Sequence, residues 1–429
     1  MKVGLTTLGC KANQYDTEGI AALFRAEGYE VVPFSGDADV RVINSCSVTQ
    51  EAVRKSRQLA RRAHHANPAA VVVLTGCYAQ TGGVSPGSLP GVSLVVGPQD
   101  RGRLVELVET YLRDRLARTI VRSPGSEKEF LDLPAGVFTD RTRAWLKIQD
   151  GCDRFCAYCQ IPMARGPSRS LPMTRVLGEA ERLLAAGHRE LVLTGIHLGA
   201  YGADLPDHPQ LAGIVRAIGE LPGLFRLRLG SVEPDDVTSE LISAIAETPV
   251  FGRHLHLPLQ SGDDMILDKM RRPYRAEDYA ELLGRLHTAL PDLAVSTDLL
   301  VGFPGETEAS FRTTLSFVER MRFSKLHVFP FSSRPGTAAA SYAGQLPRSE
   351  KLERSRRAIA AGKRTAEEYN RTLIGHQLEV LVEETKGESC RGLCGQYLSV
   401  QFKAAGVAIN DTAAVVITEA TPEILVGHL

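Results

Sequence analysis

The sequence has no excess of charge of either sign, no long apolar run and no low-complexity segment. Lysine and arginine together number 50, as do aspartate and glutamate. A nucleic-acid or membrane partner would therefore have to bind a local patch. No apolar stretch approaches the roughly 18 residues that cross a bilayer, and the start MKVGLTTLGC is too short in apolar residues for a signal peptide. These absences predict a cytoplasmic protein without membrane segments.

Cysteine is scarce, but its placement is informative. Six of the eight cysteines form two triplets: Cys10, Cys46 and Cys77, and Cys152, Cys156 and Cys159. In the cytosol thiols stay reduced, so such groupings indicate metal binding or catalysis more often than disulfides. Each triplet is one thiolate short of the four that usually hold an iron–sulfur cluster, which would leave one iron open for a ligand.

The first part of the chain alternates strand and helix patterns. MKVGLTTLGC, DADVRVINSC and PAAVVVLTGC are strand-like, and the segments between them are helical. Repeated βα units predict an open parallel α/β domain, which we assign to residues 1–125. Each cysteine of the first triplet ends its strand, and the carboxyl ends of parallel strands line the crevice where ligands bind.

The middle and last parts of the chain predict two further domains. After a linker-like stretch at 123–136, six βα units over 138–366 predict a partial (β/α)6 barrel with Cys152 at the end of its first strand. A basic helical run at 351–371 follows. Short alternating strands over 367–429 then predict a small antiparallel β-barrel.

The compact triplet has the spacing CxxxCxxC, in DGCDRFCAYC. This pattern resembles the loop of radical S-adenosylmethionine enzymes, in which three thiolates hold a 4Fe-4S cluster and the fourth iron binds S-adenosylmethionine. The resemblance places the aromatic Tyr158 beside the adenine of that cofactor. A zinc site is the alternative, but no fourth Cys or His lies nearby at finger-like spacing.

The dispersed triplet alone would also fit three small buried residues, because free cysteine is commonly buried. Its surroundings, TLGCKANQYDTE, INSCSVTQEAVRKSRQ and VLTGCYAQ, resemble the amino-terminal domain of the methylthiotransferases, which binds an auxiliary 4Fe-4S cluster. The segments IQDGCDRFCAYCQIPMARGPSRS, LTGIHLGAYG, LRLGSVEPDD, LHLPLQSGDDMILDKMRR and STDLLVGFPGE resemble that family's radical domain in the same order. The last segment resembles its RNA-binding TRAM domain, so the resemblance covers nearly the whole chain.

Residues 10–15 (CKANQY) and 55–58 (KSRQ) are most similar to the branch that adds a methylthio group to carbon-2 of threonylcarbamoyladenosine beside the anticodon of tRNA. The resemblance implies two 4Fe-4S clusters, with S-adenosylmethionine as radical source and methyl donor. It also implies a flavodoxin- or ferredoxin-like electron donor, and we expect a monomer. Methylthiolation of isopentenyladenosine or of a ribosomal-protein aspartate, and a non-catalytic iron–sulfur sensor that binds RNA, remain as alternatives.

The two triplets suit different tasks in such a transfer. An aromatic C–H is inert to acid–base chemistry, so reduction of S-adenosylmethionine at Cys152, Cys156 and Cys159 would supply a 5′-deoxyadenosyl radical. The other cluster would present a methylated sulfur, and the protein's task is positioning.

Other polar residues at strand ends are candidates for the cofactor. By resemblance Gly195 serves the amino end of S-adenosylmethionine, because glycine lets the backbone approach a ligand. Turn capping is the alternative role for the polar candidates. Of these, Gln260 and Asp298 are preferred since each interrupts an apolar strand. The polar candidates are Ser231, Glu233, Gln260 and Asp298.

A basic helix follows Cys46 and is a candidate RNA surface. Arg54, Arg57 and Arg61 share one face at helical spacing, opposite a stripe predicted to be buried. A charged face is more often simply solvated. We expect Arg165 and Arg169 to reach the same substrate. The buried stripe is Ala52, Ser56, Leu59 and Ala63.

The last segment departs from an RNA-binding barrel in its charge. From 371 to 429 there are four Lys/Arg and seven Asp/Glu, a balance of 4 − 7 = −3. Either Tyr397 and Lys403 form a local RNA face, or the RNA lies on the basic segments elsewhere. The acidity also keeps a basic protein substrate as an alternative. Cys390 and Cys394 are expected on a turn, where they pack or bind adventitious metal.

Overall fold

The computed structural model describes residues 1–125, 129–131, 133–134 and 142–429. The predicted start of the second domain, at 138, lies outside the described residues. The α/β class is confirmed, with an amino-terminal parallel sheet, a partial barrel and a carboxyl-terminal closed barrel.

The amino-terminal region is a six-stranded parallel sheet in the order β2-β1-β3-β4-β5-β6. The three predicted strands are its neighbours β1, β3 and β4. Every residue of β3 and β4 is buried, as expected for parallel strands covered on both faces. The strands are β1 (Lys2–Thr7), β2 (Glu30–Pro33), β3 (Val40–Ser45), β4 (Val71–Gly76), β5 (Leu94–Val96) and β6 (Arg118–Ile120); the helices are α1 (Lys11–Ala26), α2 (Gln50–Ala66), α3 (Cys77–Thr81) and α4 (Leu104–Asp114).

The strand order of this sheet reverses between β1 and β3. The chain leaves β1 through α1 toward β2 on one side, and later returns to place β3 and β4 on the other. Open parallel sheets bind ligands at such a switch point, outside the carboxyl ends of the strands. Cys10 and Cys46 follow the two strands that flank it.

The second region is a partial barrel of six parallel strands, as predicted. Two three-stranded sheets, β11-β10-β7 and β12-β13-β14, are joined by bridges from Leu227 to Phe251 and from Ser231 to His256. A short antiparallel pair, β8 with β9, frames the loop of the compact triplet. The strands are β7 (Arg143–Lys147), β8 (Gln149–Asp150), β9 (Arg169–Ser170), β10 (Glu190–Thr194), β11 (Arg226–Leu229), β12 (His254–His256), β13 (Ala294–Val301) and β14 (Lys325–Pro330); the helices are α5 (Ile161–Arg165), α6 (Met173–Ala185), α7 (Leu211–Gly219), α8 (Ser239–Glu247), α9 (Asp264–Lys269), α10 (Ala276–Ala289) and α11 (Glu308–Met321).

The carboxyl-terminal region begins with the long helix α12 (Arg348–Arg371), so the predicted boundary at 366/367 falls inside a helix. The closed barrel has the order β15-β16-β17-β19-β18. Four of its strand pairs are antiparallel, while β17 and β19 run parallel. Its strands are β15 (Gln377–Lys386), β16 (Ser389–Cys394), β17 (Ser399–Lys403), β18 (Thr412–Ala420) and β19 (Ile424–His428).

The expectation that Cys390 and Cys394 lie on a turn is corrected. Both belong to β16, and both side chains are buried in the core of the closed barrel. Four residues along a strand put two side chains on the same face, here the inner one. The thiols therefore pack, as small apolar groups do.

The linker-like stretch is packed where it is described. Leu133 is only 1% exposed in the core under α1, and Phe130 packs against the core of the partial barrel. The segment thus contacts both regions that it joins. Among the described residues, no helix is long and apolar enough to span a membrane.

Buried charges attach the closed barrel to the partial barrel. Arg226 donates to the carbonyl of Leu393 at 3.0 Å, and Arg228 donates to those of Cys394 and Gly395 at 2.7 Å. The buried carboxylate of Glu190 binds both guanidinium groups, at 3.1 and 2.8 Å. It therefore neutralises the charges that hold the two barrels together.

We predict that Glu190→Gln destabilises the protein by about 3–5 kcal/mol, because it leaves two buried guanidinium groups without their counter-ion. Urea unfolding followed by circular dichroism measures this change. Glu240→Gln is the matched control, since Glu240 pairs with Arg216 on the surface and its loss should change stability little. Equal effects of the two substitutions would contradict the prediction.

Candidate active site between two cysteine triplets

The fold brings the dispersed triplet together. Cys10, Cys46 and Cys77 follow β1, β3 and β4, which are neighbours in the sheet and end in step: Thr7 pairs with Asn44, and Ser45 with Gly76. Cys10 is exposed, while Cys46 and Cys77 are buried. Three thiols far apart in sequence therefore share one edge of the sheet.

Glycines allow the loops of this triplet to approach closely. Gly9 has φ +108°, and a Cβ on it would lie 2.9 Å from Cβ and 3.0 Å from Sγ of Cys46. Gly76 has φ +90°, and a Cβ there would lie 2.4 Å from Oδ1 of Asn44. Any other residue at either position would force the cysteine loops apart.

Burial makes these thiols hard to ionise in the absence of a bound cation. Burial, together with the neighbouring Cys77, raises the pKa of Cys46 to about 12. Burial also raises the pKa of Cys77, although the Arg165 guanidinium acts against it. Thiolates bind metal, so binding here would release protons.

The compact triplet lies on the loop between β8 and α5, where hydrogen-bond donors point at each sulfur. The backbone N–H of Arg154 donates to Sγ of Cys152, and that of Ile161 to Sγ of Cys159, both at 3.4 Å. The guanidinium of Arg272 lies 3.6 Å from Sγ of Cys156. Burial raises the pKa of Cys156 and of Cys159, and the donors from Arg272 and Ile161 act against that rise.

His197 adds a second positive group to this loop. Burial lowers its pKa, but hydrogen bonds to Asp236 and Cys152 outweigh burial and raise the pKa to about 9. Its Nε2 lies 2.7 Å from Asp236. His197 thus places a positive charge within hydrogen-bond reach of Cys152.

A cavity of about 520 Å³ separates the two triplets, and we name it the cluster-facing cavity. Cys10 and Cys46 line one side, and Tyr158 and Cys159 line the other. Much of the remaining wall is apolar and aromatic, as suits a flat ring. That wall includes Leu300, Phe329, Pro330 and Phe331.

A second cavity, of about 450 Å³, occupies the interior of the partial barrel, and we name it the lumen cavity. Gly195, Ser231 and Asp298 line it, whereas Tyr158, Gln260 and Asp298 line the cluster-facing cavity. The two cavities share Cys10 and Asp298. The predicted cofactor residue Glu233 instead binds Arg272, beside Cys156.

The sequence analysis missed three histidines of the lumen cavity. His254 and His256 alternate with buried leucines on β12, and His327 occupies β14. Parallel strands covered by helices are normally apolar throughout. Polar residues at every second position of such a strand are therefore a detectable signal of a functional interior.

The basic face of α2 is exposed, as predicted. Arg54, Arg57 and Arg61 line a surface groove, and the opposite stripe is partly or fully buried. The helix begins at the cluster-facing cavity, which Thr49 and Ala52 line. Its charge is partly offset, since Glu51 binds Arg54 at 2.6 Å.

The structure does not place Arg165 and Arg169 on a surface open to RNA. They are 1% and 6% exposed, and Arg169 donates to the carbonyl of Arg165 at 2.6 Å. A guanidinium can be buried when carboxylates from distant parts of the chain satisfy it, and Arg165 is held in this way.

A buried ion cluster joins the amino-terminal region to the partial barrel. Arg165 donates to Asn13 at 2.6 Å, to Asp16 at 2.9 Å and to Asp150 at 2.6 Å. Two more cations, Arg101 and Lys147, bind Asp16 as well. Lys147 also lies 3.1 Å from Asp150. We name Asp16, Arg101, Lys147, Asp150 and Arg165 the interdomain ion cluster.

The fold and the CxxxCxxC loop define a radical S-adenosylmethionine enzyme. Residues 146–318 match the Radical SAM superfamily, and residues 2–97 match "Uncharacterized protein family UPF0004". The radical methyltransferase TsrM from Kitasatospora setae superposes with a TM-score of 0.58 at 14% identity, over 79% of this chain and 75% of that one. This likeness concerns the fold alone.

Two curated relatives identify the family. The threonylcarbamoyladenosine tRNA methylthiotransferase MtaB of Bacillus subtilis is 41% identical over 97% of this chain and 94% of its own length. The tRNA-2-methylthio-N(6)-dimethylallyladenosine synthase of Erythrobacter litoralis is 36% identical over 99% and 96%. The chain belongs to the methylthiotransferase family of radical S-adenosylmethionine enzymes, which implies a 4Fe-4S cluster and S-adenosylmethionine.

The residues present fit these groups. Each site offers three neighbouring thiols, and Cys10, Cys46 and Cys159 among them line the shared cavity. Within the described residues, no group of three His, Cys, Asp or Glu side chains is placed to hold a single metal ion. A four-iron cluster does not need such convergence, because each thiolate binds a different iron.

The interdomain ion cluster predicts a specific acid sensitivity. Burial raises the pKa of Asp16, but Arg101, Lys147 and Arg165 outweigh it and lower that pKa from 3.8 to about 2. The stability that Asp16 contributes is therefore present above pH 3.8 and is lost as the pH falls toward 2.

Asp16→Asn should remove most of this pH dependence and destabilise the protein by about 3–5 kcal/mol at neutral pH. Urea unfolding at several pH values between 2 and 7 measures both effects. Asp268→Asn, at an exposed position, is the control and should leave the profile unchanged. An Asp16→Asn profile parallel to that of the parent protein would contradict the prediction.

Proposed function

We propose that this chain adds a methylthio group to carbon-2 of N6-threonylcarbamoyladenosine next to the anticodon of tRNA. The observation that carries the proposal is one largely apolar cavity lined by Cys10 and Cys46 of the dispersed triplet and by Cys159 of the compact triplet. A reaction that joins a sulfur group to an unactivated aromatic carbon needs two reactive centres around one ring. The B. subtilis relative, named for this reaction, supports this choice of nucleoside.

In this proposal Cys152, Cys156 and Cys159 hold the cluster that binds S-adenosylmethionine, and Cys10, Cys46 and Cys77 hold an auxiliary cluster. When bound, these groups supply hydrogen abstraction at one side of the substrate and sulfur with its methyl group at the other. S-adenosylmethionine serves as radical source and methyl donor, and a flavodoxin- or ferredoxin-like protein supplies electrons to the monomeric enzyme.

The chain's own residues would position and protect the reactants. Tyr158, with Gln260 and Asp298 in the same cavity wall, would orient the cofactor near Cys10 and Cys46, and Gly195 and Ser231 line the adjoining lumen cavity. The apolar side chains of the cluster-facing cavity would hold the adenine ring and exclude water. Arg272 would act against the rise in the pKa of Cys156 that burial causes, and His197 would place a positive charge beside Cys152.

The E. litoralis relative raises a second candidate, since its name refers to dimethylallyladenosine. That substituent is apolar and uncharged, whereas the lumen cavity beside Cys10 is lined by histidine, lysine and aspartate side chains. A polar cavity is a poor environment for a dimethylallyl chain. The contrast favours the threonylcarbamoyl nucleoside.

Cysteine variants separate the roles of the two triplets. Cys46→Ala should still cleave S-adenosylmethionine to 5′-deoxyadenosine but lose methylthiolation, and Cys156→Ala should lose both. Cys390→Ala changes a buried thiol of the closed barrel and should keep both activities. The assays are iron content, 5′-deoxyadenosine formation and mass spectrometry of nucleosides from a treated anticodon stem-loop.

Full methylthiolation by Cys46→Ala would rule out the two-site scheme. Absence of 5′-deoxyadenosine in every sample would favour a non-catalytic sensor. Methylthiolation of a ribosomal-protein aspartate with none of tRNA would favour the protein substrate.

The basic face of α2 supports a second experiment, on tRNA binding. Arg57→Ala with Arg61→Ala should weaken tRNA binding, and the slope of log affinity against log salt should fall by about 2, one for each lost phosphate contact. Arg312→Ala with Arg320→Ala, on the exposed face of α11, is a charge-matched control. Equal loss in both double variants would contradict a specific role for α2.

A further inference from the structure

The lumen cavity has a positively charged wall. Alternate residues of β12, β13 and β14 face it: His254 and His256, Ser296 and Asp298, and Lys325 and His327. Their neighbours Leu255, Val295 and Leu299 belong to the apolar core. A polar lining inside a barrel is costly unless it serves a partner or a ligand.

The balance of charge in this cavity favours an anion. Asp298 is the carboxylate that lines it, and it is already held by His256, whose Nε2 lies 3.2 Å away. Two lysines, Lys11 and Lys325, line the same cavity, and neither forms an ion pair with another described residue. Lys11 lies over the ring of Tyr397, with 5.5 Å from Nζ to the centroid. Lys325 is thus the cation most open to a ligand.

The pKa of His254 is lowered by burial and by the positive charges around it. Burial first, and then Arg228, His256, Lys11 and Lys325, hold the pKa of His254 well below its ordinary value. The ring is therefore neutral, and it shares the hydroxyl of Ser296 with His256, at 2.8 and 2.9 Å. A carboxylate placed among these groups would meet hydrogen-bond donors and unpaired cations.

We propose that the lumen cavity is a carboxylate subsite in which Lys325 binds the threonine carboxylate of the substrate nucleoside. This inference rests on the proposed function. The adenine ring would occupy the cluster-facing cavity, which meets the lumen cavity at Cys10 and Asp298. One ring nitrogen separates carbon-2 from the carbon that bears N6. A ring with carbon-2 between the triplets can therefore extend its N6 chain into the lumen.

Such a subsite would act in specificity. A substrate with an uncharged N6 chain would form no ion pair with Lys325, whereas a carboxylate would, and this difference in binding free energy discriminates against the uncharged chain. S-adenosylmethionine also has a carboxylate, so the same chemistry could hold the cofactor. The experiment has to distinguish these two sources.

The test uses the reconstituted enzyme and two anticodon stem-loops, one with threonylcarbamoyladenosine and one with its carboxyl methyl ester. Phosphate contacts are equal in the two, so the ratio of their dissociation constants, from fluorescence anisotropy, reports the carboxylate alone. The parent protein should bind the acid about tenfold more tightly than the ester. Lys325→Met should bring the ratio close to one without changing ester affinity.

Lys325→Arg keeps the charge and should retain most of the preference. Lys363→Met removes an exposed lysine of α12, whose ammonium pairs with Glu423, and should leave the ratio unchanged. The dissociation constant for S-adenosylmethionine is measured for every variant. It should be the same in all of them.

If Lys325→Met leaves the ratio of the acid and ester dissociation constants unchanged, the inference is overturned. Weaker binding of S-adenosylmethionine by this variant, with the ratio unchanged, would overturn it too and assign the cation to the cofactor. Failure of the parent enzyme to methylthiolate either stem-loop would refute the proposed function. The binding ratio would still test the subsite separately.

Discussion

The arrangement of the candidate site depends on one guanidinium group, that of Arg165. The helix α5 follows Cys159 directly and ends at Arg165, whose guanidinium reaches Asn13 and Asp16 in the first turns of α1. That helix in turn follows Cys10. The end of α5 therefore packs against the side of α1, and the buried guanidinium of Arg165 joins the two helices. This contact fixes the position of one triplet relative to the other.

The charge of this cluster has a second consequence. Three cations face two carboxylates, Asp16 and Asp150, so the group carries a formal surplus of one positive charge. Arg165 also acts on the thiol of Cys77 and works against the rise in its pKa that burial causes. Removal of either carboxylate would leave three buried cations facing a single carboxylate. The same interaction thus holds the domains together and biases a candidate metal ligand toward ionisation.

Much of the site could be predicted from local sequence. Cysteines at the ends of apolar runs become neighbours once the strands are parallel and adjacent, and the CxxxCxxC spacing keeps Cys152, Cys156 and Cys159 on one loop. The charged residues could not be predicted in this way. The sequence predicts that Arg165 reaches the RNA substrate. Its carboxylate partners lie on α1 and β8, far apart in the chain, and only the folded arrangement brings them together. Likewise, the short strands β2, β5 and β6 offer too few residues for a periodic pattern.

In the proposed reaction two thiol triplets act on one modified nucleoside, and the decisive test is the tRNA of cells that lack this chain. Liquid chromatography with mass spectrometry compares nucleosides from a deletion strain with those from the same strain carrying the gene again. We expect 2-methylthio-N6-threonylcarbamoyladenosine to disappear in the deletion strain, the unmethylthiolated nucleoside to accumulate in its place, and the restored gene to reverse both changes. An unchanged level of the methylthiolated nucleoside would contradict the proposed reaction.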